Sequence, residues 1–172
     1  MNKNPCGEIT LGQTTVCTLP YPEELRCYTF TLVQLNTMQQ GIQAAHAAIE
    51  LGMKAYKRQM RENNLADFRL YHEWATEWKT LIMLNGGDAT ELQLLEDFFY
   101  DSQNTLPWAA FYEDGSFYNA LTSVAIIIPA RIFISAEELR KGKPVMSLDY
   151  PDSYSDWELE LINRLSNARR AV

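Results

Sequence analysis

His46 is one of two histidines in the chain, and the residues around it concentrate hydrogen-bonding groups. The segment Met38-Gln39-Gln40-Gly41-Ile42-Gln43-Ala44-Ala45-His46-Ala47-Ala48 spaces Gln39, Gln43 and His46 three to four residues apart. On a helix that spacing is one face. The small residues flanking His46 let another element or a ligand come close. A plainer reading is also open, in which His46 is a satisfied core histidine and the alanines only permit tight packing. Asp114 is the second candidate. Within hydrogen-bond reach of His46 it would activate water; otherwise, standing before Gly115, it is an ordinary turn residue.

Two further groups of residues suit nucleic acid. Lys54, Lys57, Arg58 and Arg61 recur at helical spacing as a basic stripe, which reads either as a phosphate contact or as a solvated helix face. Phe111, Tyr112, Phe117 and Tyr118 would stack on a base or simply pack. Two histidines, no Cys-x-x-Cys and no convincingly spaced Asp/Glu cluster predict no protein-bound metal. No cofactor is expected.

The elements that must position these groups follow from periodicity. Cys27 to Leu35 is rich in β-branched and aromatic residues and reads as a buried strand. Asn36 and Thr37 then offer caps for a helix from Met38 to about Asn63, with an apolar stripe of Ile42, Ala45, Ile49, Met53 and Tyr56. Gln39, Gln43 and His46 thus lie beyond the carboxyl end of the first strand, where open α/β sheets bind ligands. Leu65 to Glu77 reads as partly helical, and Lys79 to Leu84 as the second strand. Asp88 and Glu91 have capping-box spacing before a helix that buries Leu92, Leu95, Phe98 and Phe99. Trp108 to Glu113 and Leu121 to Ile128 are the third and fourth strands, around Asp114-Gly115. Ser135 and Ser155 each read as the cap of a later helix.

The order predicts an α/β fold: one three-layer domain with a mixed four-stranded sheet in β-α-β-α-β-β order, plus C-terminal helices. The divisions are a polar tail over 1–25, the α/β domain over 26–134 and a helical extension over 135–172. At 172 residues and 47% hydrophobic, the chain can bury a real core. No run reaches the roughly 18 apolar residues of a membrane helix. The N-terminus has no signal-peptide pattern and the cysteines are three and sparse, so a cytoplasmic location without membrane association is expected. A net charge of -7 works against broad phosphate-backbone binding and leaves room for a local basic groove.

Over residues 26 to about 133 the chain resembles the type II peptidyl-tRNA hydrolases. The resemblance rests on the Gln43-to-His46 segment after the first strand, on Trp78 and Lys79 opening the second, and on the acidic, leucine-rich stretch from Glu91 to Phe99. Asp114-Gly115, followed by Leu121-Thr122-Ser123-Val124-Ala125-Ile126, completes it. The resemblance implies hydrolysis of the ester between peptide and tRNA, with Gln43 and His46 on the family's glutamine and histidine and Asp114 on its aspartate. Gln39 holds the position of the family's lysine. Tyr118 holds that of its threonine, so Ser116, Asn119 or Thr122 would substitute, and Lys79 would join them in binding substrate. tRNA or a small nucleotide is the implied ligand, and this fold class often dimerises. The alternatives are a nucleotide-binding module without turnover and a protein-interaction domain.

Asn4-Pro5-Cys6-Gly7-Glu8-Ile9, with Cys17-Thr18-Leu19, is similar to the active-site segment of the ribonucleotide reductase large subunit. In that family the first cysteine carries a thiyl radical. The barrel that would hold it is absent here, so the segment reads as a relic of gene splitting or fusion, as happens in phage genomes.

Overall fold

The computed structural model describes residues 7–11, 14–18, 23–63, 65–114, 119–145 and 154–169. The N-terminal stretch, expected to lack regular structure, holds a two-stranded antiparallel hairpin of β1 (Gly7–Leu11) and β2 (Thr14–Thr18). Each strand has five residues, too few for alternation to stand out, although both are rich in β-branched types. Asn4, Pro5 and Cys6 lie outside the described residues.

The remaining elements run β3 (Leu25–Thr31), α1 (Thr37–Glu62), α2 (Leu65–Glu73), a π-helical turn (Trp74–Trp78), β4 (Thr80–Asn85), α3 (Ala89–Phe99), β5 (Trp108–Glu113), β6 (Ala120–Pro129), α4 (Ala130–Arg140) and α5 (Asp156–Asn167). The protein is thus α/β, with an open, mixed sheet in the order β4-β3-β6-β5. β3 pairs with β4 in parallel and with β6 antiparallel, and β5 pairs with β6 antiparallel. β3, β4 and β5 therefore all end at the same side of the sheet. α1 and α3 start there. Among the described residues no helix is long and apolar enough to cross a membrane.

Alternation along β6 divides the core into two layers. Val124, Ile126 and Ile128 join Tyr28, Phe30, Leu92, Phe99, Phe133, Trp157 and Leu161 on the side of α3, α4 and α5. Ala125 and Ile127 join Leu25, Cys27, Ala47, Ala48, Leu51 and Ala109 beneath α1. The first layer is filled by large side chains. The second is built largely from alanines, which bring α1 close to the sheet.

That close approach accounts for the main difference from the sequence reading. The buried face of α1 is Gln40, Gln43, Ala44, Ala47, Ala48, Leu51 and Ala55, while Ile42, Ala45, Ile49, Met53 and Tyr56 are exposed. Size misled there: the face that fits against the sheet is the small one. Ser135 is likewise no cap. α4 begins at Ala130, directly after β6, and the Ser135 hydroxyl bonds back to the Arg131 carbonyl within the helix. The caps at Asp88 and Ser155 are both present as capping boxes. β3 ends at Thr31, short of Leu35, because the backbone turns away to bond the Thr122 and Gly87 carbonyls.

Candidate functional site

A β-bulge organises the polar groups at the carboxyl end of the sheet. Phe111 pairs with Ser123 and Tyr112 with Leu121, so Thr122 has no partner residue across the ladder. A bulge turns a side chain that strict alternation would send to the other face. Here it aims the buried Thr122 hydroxyl at α1, where it donates to Gln43 Oε1 at 3.0 Å. The other end of the same amide, Gln43 Nε2, donates to Glu113 Oε2 at 2.7 Å. One glutamine thus ties the bulge of β6, the end of β5 and the second turn of α1 together. Its burial is tolerated because both ends of the amide are satisfied.

Beside this chain lie buried polar atoms with no hydrogen-bond partner among the described residues. Thr31 and Ser123 face each other across β3 and β6, both fully buried, and neither hydroxyl finds a partner among the described residues. Gln40 Nε2 donates to the Leu32 carbonyl at 3.2 Å, while its buried Oε1 has none. His46 Nδ1 is buried and unpartnered too. Buried polar groups are nearly always paired, so four such atoms on one side of one sheet mark a place suited to further polar contact.

The sequence candidates are distributed unevenly over this end. Gln43 and Thr122 are in direct contact. His46, one turn on from Gln43, packs its ring on Phe111, with centroids 4.6 Å apart. Asp114 is exposed just past the end of β5, and no hydrogen bond joins it to His46. Gln39 serves the capping box of α1: Asn36 Oδ1 accepts from Gln39 N at 3.0 Å, and Gln39 Oε1 accepts from Asn36 N at 3.2 Å. Its NH2 group takes no part in that cap. Asn119 is exposed with a left-handed backbone at φ 59°, just before β6. Lys79 lies away from all of these, at the amino end of β4, where its N–H bonds the Trp74 carbonyl. Ser116 and Tyr118 lie outside the described residues. Sequence reading missed Glu113. Its position as the last residue of a strand, beside Asp114, was the available signal.

A groove of about 620 Å³ runs between α1 and β5 toward the other end of the sheet. Lys54, Lys57, Arg58 and Arg61 line it together with Tyr100, Trp108 and Tyr112. The Lys54 ammonium sits 3.7 Å from the centroid of the Trp108 ring. Burial, and then the Arg58 charge, lower its pKa. Arg58 is paired with Asp67 and Glu62. Glu50, Glu62 and Glu96 also border the groove, so its positive character is local. On the opposite face of the sheet a second groove, about 600 Å³, lies between Gly86-Gly87 and α5, lined by Asn163, Arg164 and Arg169. There the start of α3 is already occupied by its own cap, Asp88. Among the described residues no three His, Cys, Asp or Glu side chains gather into a metal-binding group.

Compared with known proteins, the chain matches no family model and no curated protein sequence. The fold and site define an α/β protein with an open mixed sheet and a bulge-organised polar cluster at its carboxyl end.

Proposed function

We propose that the carboxyl end of the sheet hydrolyses the ester joining a peptide to tRNA. The observation that carries this reading is the Thr122–Gln43–Glu113 chain of hydrogen bonds. It gathers the position that the resemblance to type II peptidyl-tRNA hydrolases assigns to a glutamine, a buried threonine bonded to that glutamine, and the residue next to Asp114. Asp114 takes a proton from water as the water oxygen attacks the ester carbonyl carbon. The Gln39 NH2 group meets the charge that develops on the carbonyl oxygen. The ester bond then breaks, and the proton passes to the departing ribose oxygen. Gln43 acts as a positioning residue that holds Glu113 and Thr122.

The groove along α1 supports the same substrate. From the Gln43–Glu113 contact to the Lys54–Trp108 contact, α1 advances roughly 16 Å. Cations beside aromatic rings suit a single strand leading away from the reacting end.

A second reading, binding of a small nucleotide without turnover, is favoured by Gln39. It is neutral where the family has a lysine, and its amide oxygen is spent on the helix cap. Incubation with peptidyl-tRNA, following release of free tRNA, separates the two. Cleavage that disappears in Asp114→Asn is the expected result. Thermal stabilisation by a nucleotide panel without cleavage would establish the second reading in place of the first.

A further inference from the structure

α1 carries a second apolar face, opposite the one on the sheet. Met38, Ile42, Ala45, Ile49, Met53, Tyr56 and Met60 are all exposed. At about 100° per residue they fall into a single stripe. Met38 is 75% exposed, Ile49 58% and Met60 67%, so the stripe is open from end to end. No charged residue interrupts it, although Glu50, Lys54, Lys57 and Arg58 occupy the same stretch of helix.

The order of these residues carries more information than their exposure. Successive members of the stripe are separated by 4, 3, 4, 4, 3 and 4 positions, a pattern that reads identically in both directions about Ile49. Turning a second α1 end for end about Ile49 sets Met38 against Met60, Ile42 against Tyr56 and Ala45 against Met53. Steps of three and four keep one face of a helix turned to a partner, and with two fours meeting at Ile49 they follow an eleven-residue repeat, close to the turn of a straight helix. A two-fold contact requires the same patch on both copies to be self-complementary, and the palindromic spacing meets that requirement in position.

We propose that α1 pairs antiparallel with α1 of a second copy of this chain, with the two-fold axis at Ile49. Covering all the exposed parts of the seven side chains would bury roughly 600 Å² per copy, an upper bound of roughly 1,200 Å² for the pair, at the lower end of specific interfaces. It is large for an apolar patch left uncovered on a monomer. Gly41 and Ala45 keep the first half of the seam low, and nothing lies within 4 Å of where a Gly41 side chain would start. The pairing leaves free both the groove lined by Lys54 and Trp108 and the cluster around Gln43, so it does not depend on the proposed activity.

Light scattering on the full chain, at concentrations on the order of 100 μM, should give twice the mass of one chain, above the micromolar Kd of a small interface. Ile49→Glu should give the mass of one chain with an unchanged circular dichroism spectrum, since Ile49 is exposed. Ile49→Cys, with Cys6 and Cys17 replaced by serine, should cross-link to itself on mild oxidation, because a residue on the axis meets its own copy. Met38→Cys in the same background should not, because antiparallel pairing holds the two copies of Met38 roughly 33 Å apart. A single-chain mass for the unaltered protein overturns the proposal. So does a dimer that survives Ile49→Glu, or cross-linking of both cysteine variants, which would mean parallel helices.

Discussion

Replacing Gln43 by alanine removes both hydrogen bonds that join α1 to the ends of β5 and β6. The bond to the Glu113 carboxylate, at 2.7 Å, is charge-assisted and of the kind that contributes about 1.5–3 kcal/mol. The bond from the Thr122 hydroxyl, at 3.0 Å, is between neutral groups and contributes about 1 kcal/mol. Thr122 retains only a long contact, 3.4 Å, to the Phe111 carbonyl. The expected loss is therefore about 3 kcal/mol, which for a chain of this length lowers Tm by on the order of 10 °C. Urea unfolding of Gln43→Ala, Thr122→Val and the double variant measures this loss and its division. The two single losses should exceed the double loss by about 1 kcal/mol, the signature of a shared bond. A Gln43→Ala loss below about 0.5 kcal/mol with strictly additive variants would refute the idea that this glutamine holds the bulge in place.

Two other outcomes follow from the layer beneath α1. Gly52→Ala normally strengthens a helix by about 1 kcal/mol. Here the added carbon would sit 2.3 Å from Tyr71 Cζ, so the variant should unfold at lower urea than the parent and become stabilising once Tyr71 is also changed to alanine. Burial pushes the Cys27 thiol from 9.0 up to about 12, and burial raises Tyr28 and Tyr71 as well. The folded chain thus keeps protons that the unfolded chain releases. Stability should be complete below about pH 9 and fall as pH rises toward 12, with a shallower fall in Cys27→Ala, read from urea midpoints.

The four strands of the mixed sheet and their order along the chain were legible because each is a compact apolar run closed by a turn signal, as with Thr80–Asn85 before Gly86-Gly87, whereas the hairpin of β1 and β2 was not. Caps were legible where the side chain had no competing use, as at Asp88 and Ser155. Ser135 shows the limit: its spacing to Glu138 is correct for a cap, but Pro129 had already led β6 into the helix. The inner face of α1 was hidden because alanine and glutamine carry little hydrophobic signal, while the large residues lie outside. Within the candidate site, Gln43 was legible from its spacing to His46. Its bond to Thr122 was not, because a bulge depends on the pairing of two strands and leaves no mark in either one alone.

α5 supplies Trp157, Leu161, Ile162 and Leu165 to the same layer that β3 enters with Tyr28 and Phe30. The Trp157 ring stacks on Phe98, and its Nε1 donates to the Phe98 carbonyl. During synthesis β3 therefore waits for more than a hundred residues before the helix that finishes its cover exists. Until then the part of that layer left uncovered by α3 and α4 is open to water and to other nascent chains. Contacts so distant along the chain form slowly, which makes the interval before α5 appears the period in which this protein is most exposed to misassembly.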